Sequence, residues 1–458
     1  MNVPEVVEYV SKLPDVVHAE HNLYTCSEEG ISKIKEGIQK YDLNRVIVSS
    51  CTPRTHESLF RSACEEAGLN KYLFEFVNIR DQCSWVHMSL PEEATEKAKT
   101  LIRMGVAKAR LLEPLEEIEI KVAPASLIIG GGVAGMTAAL NLAAQGFTIH
   151  LVEKEKEFGG LLLGLHKLFT TNREAKELTQ TLIERVKSDE RIKVYLSATV
   201  KDVAGFIGNF DITLDHGGEE VKVNVGTIIV ATGAEEFKPV GQYGYGEMEG
   251  ILTQLELEDR MKREAFDGQN IVMINCVGAR VPERTYCSRF CCITAIKNAA
   301  LIKEASPTSK VWILHRDLMA YGVEFEDYYR RAMEAGVRFI RYDLERPPQV
   351  VGNGEVSGVK VYHQLRGKEI ELPCDTVVLT TPLIPRAEAA DISQMLKVPL
   401  GEQGFFLEAH LKLRPVEFAT DGIFICGSAR WPTDVIECIS QAYAASSKAA
   451  IPMRTGYV

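Results

Sequence analysis

Four cysteines fall within seventeen residues, in the stretch from Cys276-Val-Gly-Ala-Arg to Cys287-Ser-Arg-Phe-Cys291-Cys292. The apolar run Ile271 to Ile274 precedes them, and the helical pattern Ile293-Thr-Ala-Ile-Lys-Asn-Ala-Ala-Leu-Ile follows. Thiolates in such density point to soft-metal or disulfide chemistry. Cys287 and Cys291 are four apart, so on the first turns of a helix they share one face, with Cys292 about 100° round the axis. Cys276 closes the set from the strand end. A helix N-terminus favours thiolates and suits an anionic cluster. Four readings stand. Unligated cysteines act as small hydrophobes. Structural zinc takes four thiolates, although its paired spacing is missing. A redox disulfide could join Cys287 and Cys291. A 4Fe-4S cluster takes four Cys thiolates and tolerates varied spacing, which makes it the favoured reading.

A second chemical stretch is Gly130-Gly-Gly132-Val133-Ala134-Gly135, directly after an apolar run and before an alanine-rich helical pattern, with Glu153 ending the next strand pattern. Such glycines permit a tight turn and close approach of the backbone to a pyrophosphate at a helix N-terminus, while an acidic residue takes a ribose hydroxyl. Alone the glycines could be an ordinary turn; with strand, helix and carboxylate in register they predict a dinucleotide site. Three further segments resemble landmarks of FAD enzymes in the glutathione reductase and thioredoxin reductase superfamily. These are Glu153-Lys154-Glu-Lys-Glu-Phe-Gly159-Gly160-Leu161, Thr227-Ile-Ile-Val-Ala231-Thr232-Gly233, and Gly422-Ile-Phe-Ile-Cys-Gly427-Ser428. An Asp usually follows the last glycine in that superfamily; here Ser428 stands there, with Thr433 and Asp434 nearby. The expected cofactor is FAD. After Asn270-Ile-Val-Met-Ile, where that superfamily carries a second glycine fingerprint for NAD(P)H, only Gly278 remains, so a nicotinamide site has no support.

The elements that must position these groups are legible in outline. At 458 residues the chain exceeds a single core. Residues 1–118 read as a small α/β domain: helices at Val6 to Leu13, Ile31 to Tyr41 and Glu93 to Leu112, an extended Val16 to Glu20, and a strand from Arg45 to Cys51. A linker follows from Glu113. Residues 124–268 with 375–458 read as a Rossmann-type FAD domain, and residues 269–374 as a second Rossmann-like domain, its helix opening near Ser288. A final helix spans Val435 to Ala449. The predicted fold is a two-Rossmann α/β flavoprotein of thioredoxin-reductase type behind an N-terminal α/β domain.

Composition narrows the setting. A net charge of −11 and a pI near 5.6 argue against nucleic-acid or anionic-membrane partners, which require a basic face. The acidic start Met1-Asn-Val-Pro-Glu lacks a signal-peptide pattern, and the apolar stretch Leu127 to Ala144 carries three glycines and Asn141, so no transmembrane segment is expected. A cytoplasmic location follows, where eleven cysteines serve metals or redox chemistry more than structural disulfides.

The sequence resembles the A subunit of heterodisulfide reductase. The resemblance rests on Asn22-Leu-Tyr-Thr-Cys26, Cys51-Thr-Pro-Arg54-Thr-His56-Glu, Tyr72-Leu-Phe-Glu-Phe-Val-Asn-Ile-Arg, Cys83-Ser-Trp-Val-His87, the Gly130 stretch, Leu252-Thr-Gln-Leu-Glu, and the segment Cys276 to Lys297. It implies a 4Fe-4S cluster on Cys276, Cys287, Cys291 and Cys292, and it places Lys297, otherwise a solvated helix lysine, near the flavin's reactive edge. It implies electrons passed from flavin through iron–sulfur chains, in some members by bifurcation. The partners it implies are iron–sulfur subunits, ferredoxin-like or dehydrogenase or hydrogenase donors, and a second copy in a homodimer. Cys26, Cys51, Cys64 and Cys83, which alone read as core residues, would hold a second cluster, with Arg54 and His56 beside it or facing a partner. The chain departs from longer members in lacking their ferredoxin modules and N-terminal Cys-x-Cys strand. Cys374, Cys426 and Cys438 read as buried hydrophobes. Two rivals remain: an NAD(P)H-dependent disulfide reductase using Cys287 and Cys291, and a scaffold protein with structural cofactors.

Overall fold

The computed structural model describes residues 1–169, 171–263 and 269–458. The chain divides into two compact units, Met1–Glu119 and Ile120–Val458.

The first unit is α/β. A parallel pair of strands, Val46–Ser50 and Phe74–Asn78, runs in register from Val46 opposite Phe74. The crossover between them is the helix Pro53–Glu66, whose proline sits in the first turn where no N–H is needed. The helices Val3–Val10 and Pro91–Ala109 supply the second layer, and Gly105 lets the latter press against Val77. Ser27 caps the helix Glu28–Lys40 by accepting the Gly30 N–H. The extended segment expected at Val16 to Glu20 forms no strand: Asp15 turns the chain at φ 65° and Val17 is 70% exposed, so no strand edge is there to pair with.

The second unit carries two five-stranded parallel sheets. The first runs in the order Ile423–Ile425, Thr227–Val230, Ala125–Ile129, Thr148–Val152, Ile192–Tyr195. The second runs Ile251–Thr253, Thr376–Leu379, Asn270–Ile274, Lys310–His315, Arg338–Arg341. Their central strands, Ala-Ser-Leu-Ile-Ile and Asn-Ile-Val-Met-Ile, are near-continuous apolar runs, as strands covered on both faces must be. An antiparallel pair, Ala234–Glu236 with Leu383–Pro385, joins the two modules. This is the two-Rossmann α/β fold that the sequence predicts. The expected boundary at residue 268 lies outside the described residues. The final helix runs on to Thr455, where Gly456 stops it at φ 81°. Among the described residues no helix is long and apolar enough to cross a membrane.

Candidate functional site

The strand Ala125–Ile129 delivers the chain to Gly130, at φ 112° a conformation closed to most side chains, and the helix Val133–Ala144 opens three residues later. A side chain at Gly135 would collide with the Gly130 carbonyl, so only glycine lets this helix approach the turn. Glu153, at the end of the neighbouring strand, accepts the Gly131 N–H at 2.6 Å and the Glu155 N–H at 2.9 Å. Its carboxylate is thereby fixed at the edge of the glycine turn.

A cavity of about 360 Å³ opens from this turn. Gly130, Gly132, Val133, Ala134, Glu153, Gly159, Gly160, Leu161, Ala231, Thr232, Gly233, Ser428, Thr433 and Asp434 line it, all named from the sequence. Three expected contacts are absent from the lining. Lys154 turns away to an ion pair with Glu388. Gly135 is spent on packing, and the Gly427 N–H donates to Gln441 at 3.0 Å. The shape and the donor set fit a dinucleotide: a glycine turn, a helix N-terminus, and a carboxylate beside them.

The far wall of the same cavity comes from the second module. Phe290, Cys291, Thr294 and Lys297, from the first turns of the helix Cys291–Ala305 and its cap, face into it, as do Gln254, Glu258 and Thr380. Lys297 is not a solvated lysine. It is 1% exposed, pairs with Glu258 at 2.8 Å, and donates to the Lys167 carbonyl at 2.6 Å. Burial pushes its pKa down, against the pull of Glu258. Glu258 also accepts the His166 N–H at 2.8 Å, and Asn298 donates to Gln254 at 2.8 Å, which in turn donates to Thr380 at 2.9 Å. Sequence reasoning missed Glu258, Gln254 and Thr380. Gln254 falls in the Leu252-Thr-Gln-Leu-Glu stretch, but nothing in the sequence separates Glu258 from Glu256 and Asp259 on the same helix, and only its burial gives it meaning.

The four cysteines of the opening stretch converge on the second module's central strand. Cys276 follows the strand Asn270–Ile274 at φ 64°, and Gly278, Arg280 and Arg289 are also left-handed, at 72°, 56° and 63°. Three non-glycine residues in so strained a conformation within one loop mark a functional constraint. Arg289 breaks the helix, so Cys287 lies in the loop before it and, contrary to the spacing-based expectation, does not share a helix face with Cys291. Cys276, Cys291 and Cys292 are buried, and Cys287 is half-buried. All four lie close enough to perturb one another. Burial, then the neighbouring thiol Cys292, push Cys276 up to about 11. In the adjacent pair the hydrogen bond between the thiols lowers Cys292 and raises Cys291, which keeps the proton. The Arg289 N–H donates to the Cys287 sulfur at 3.3 Å.

No group of three or more His, Cys, Asp or Glu among the described residues is gathered tightly enough for a single metal ion. A cubane takes thiolates at its corners, farther apart than around one ion, and the donor set suits it. Asn275, fully buried next to Cys276, gives neither amide atom a well-formed hydrogen bond, although the amide lies near enough to Cys292 to help lower that thiol. A buried amide left short of partners beside four thiols is what an absent polar group leaves behind.

The N-terminal cysteines are not brought together. Cys64 packs with Val46, Val48 and Phe60 on one face of the two-stranded sheet, and burial pushes it up to about 12. Cys83 packs with Val77 and Ala98 on the other face, its thiol donating to the Ala94 carbonyl at 3.0 Å. Cys26 is exposed, as is Arg54; Cys51 and His56 are half-buried. A sheet separates two of the four sulfurs, so this set does not fit one cluster. Cys374, Cys426 and Cys438 are buried, and Cys438 also touches the cavity.

Residues 125–449 match the family model for pyridine nucleotide-disulphide oxidoreductases. The first of two A-type iron-sulfur subunits of the CoB--CoM heterodisulfide reductase of Methanopyrus kandleri is 37% identical, over 100% of this chain and 83% of the relative. The A subunit of the H(2):CoB-CoM heterodisulfide,ferredoxin reductase of Methanothermobacter marburgensis is 36% identical over the same shares. Among solved structures, Lactococcus lactis thioredoxin reductase superposes with a TM-score of 0.51 at 19% identity, over 72% of this chain and 99% of that one, a likeness of fold. Fold, cavity and relatives agree that this oxidoreductase belongs to the family of heterodisulfide reductase A subunits, a flavoprotein branch of the pyridine nucleotide-disulphide oxidoreductases.

Proposed function

We propose that the chain is the FAD- and 4Fe-4S-carrying electron-transfer component of a heterodisulfide-reductase-type complex. One observation carries the reading: the helix that bears Cys291 and Cys292 also forms the wall of the dinucleotide cavity. Residues 124–268 with 375–458 would hold FAD, through the glycine turn, Glu153, Gly159 to Leu161, Ala231 to Gly233, and Ser428 to Asp434. Residues 269–374 would hold the cluster on Cys276, Cys287, Cys291 and Cys292. When bound, the flavin supplies the exchange between two-electron and one-electron chemistry, and the cluster takes single electrons.

The chain's own residues set the conditions. Lys297 holds a proton at Nζ on the cavity wall, and Glu258 and the Lys167 carbonyl fix its position. Burial of Cys291 and Cys292 excludes water from the side facing the cavity, while Cys287 is the thiol nearest solvent and the natural exit towards an iron–sulfur partner. Residues 1–118 would dock such partners, and a homodimer is the expected assembly.

The test is anaerobic purification with iron, sulfide and flavin quantified together. About four irons per FAD supports one cluster. Essentially no iron, with flavin reduced by NAD(P)H alone, would sink the reading in favour of a disulfide reductase.

A further inference from the structure

In a Rossmann module the residue just beyond the second strand reads the nucleotide's ribose, and an arginine there takes a 2′-phosphate. In the second module of this chain that position, after Lys310–His315, is Arg316. Its guanidinium is already engaged. It donates to two carbonyls of the cysteine loop, Ala279 at 3.3 Å and Arg280 at 3.0 Å. Arg284 satisfies the preceding carbonyl, Gly278, at 2.7 Å. Three consecutive carbonyls are thus held by two guanidinium groups.

The Arg316 anchor is itself braced. The Arg341 Nε donates to the Arg316 carbonyl at 3.1 Å, and Arg280 pairs with Asp317 at 2.8 Å. The backbone that these contacts grip is strained, because Cys276 and Arg280 are both left-handed. A strained segment persists only where its surroundings over-determine it.

We propose that Arg316 is a positioning residue for the cysteine centre: a guanidinium at the nucleotide-phosphate position is turned onto the Ala279 and Arg280 carbonyls and holds Cys276 towards its three partner thiols. This rests on the cluster reading above, and the experiment keeps the two apart. Full-length protein is compared as wild type, Arg316→Ala and Arg316→Lys. In holoprotein, iron release to a chelator should be about 10-fold to 100-fold faster in Arg316→Ala with FAD content unchanged, the usual effect of losing an outer-shell partner. Both bonds leave one nitrogen, Nη1, so Arg316→Lys, whose ammonium also carries several donors on one nitrogen but on a shorter side chain, should recover part of the effect. In apoprotein, alkylation of Cys276 followed by mass spectrometry should speed up in Arg316→Ala, while the buried Cys374 should not change.

Unchanged Cys276 alkylation overturns the proposal. So does equal acceleration at Cys374, which would report general loosening. Flavin reduction by NADPH that Arg316→Ala abolishes, with iron release unaltered, assigns Arg316 to a nucleotide phosphate and also overturns it. If the wild type holds no iron, the cluster reading fails, and the alkylation arm still decides what Arg316 does to the loop.

Discussion

Replacing Glu258 by Gln strands a cation. The side chains of Lys297 and Glu258 are 2% and 1% exposed, so no solvent takes over the carboxylate's role. Breaking a buried pair by removing one partner costs about 3–5 kcal/mol. The lysine has one escape, which is to fold neutral. Giving up the proton at pH 7 costs about 1.4 kcal/mol for each unit below an ordinary lysine pKa of roughly 10.4, or about 4.6 kcal/mol, and this caps the loss. At pH 9 the same reckoning leaves about 2 kcal/mol. The sign follows from the direction of the shift. Burial already lowers the pKa of Lys297, and without Glu258 it falls further. The unfolded chain then binds more protons than the folded one over a wider pH range than in the parent, so the variant gains more stability than the parent as pH rises. The deficit of Glu258→Gln against the parent should therefore shrink from about 4 kcal/mol at pH 7 to about 2 kcal/mol at pH 9. The double variant Glu258→Gln/Lys297→Met should recover most of it, because an apolar replacement of a buried pair is often neutral. Urea unfolding of the apoprotein, followed through the buried Trp312, measures all three. A deficit below about 1 kcal/mol at pH 7, or one that does not change with pH, would refute the reasoning.

Two further substitutions probe the halves of the cavity separately. Cys291→Ser should lower iron content while FAD stays bound, since the glycine turn lies on another module; joint loss of both in metal and flavin assays would show that the sites are not separable. Gly135→Ala should do the reverse, because its Cβ would overlap the Gly130 carbonyl and push the helix off the turn. FAD affinity measured by fluorescence titration of the apoprotein should drop at least 10-fold, a strain of about 1.4 kcal/mol or more, and wild-type affinity would remove the turn from the cofactor site.

The flavin half was legible because its signals are local. Gly130, Glu153 and Gly159 are read by offset from a strand end, and backbone geometry makes those offsets rigid. Glu153 in particular can be placed on the glycine turn from the sequence alone. The cysteine half was legible in composition and not in geometry. A left-handed Arg289 cannot be foreseen from Ser-Arg-Phe, and it moves Cys287 off the helix. Lys297 was ambiguous for a physical reason: a helix lysine buries or exposes its charge according to what faces it, and its partner Glu258 arrives from another helix, thirty-nine residues earlier in the chain. The N-terminal cysteines misled for the same reason. Spacing alone could not show that the strands Val46–Ser50 and Phe74–Asn78 would form a sheet with Cys64 on one face and Cys83 on the other.

The helix Cys291–Ala305 also acts as a ruler. Cys291, Thr294 and Lys297 meet the cavity at successive steps of three residues, so the thiol and the ammonium are rooted about 9 Å apart along one axis. Side chains on this face can change without altering that separation. Inserting or deleting a single residue between Cys291 and Lys297 cannot, because it would turn one group by about 100° relative to the other and carry it off the cavity wall. The segment therefore tolerates substitution far better than a change of length, and the distance between the two chemistries is set by the count of residues in one short run of backbone.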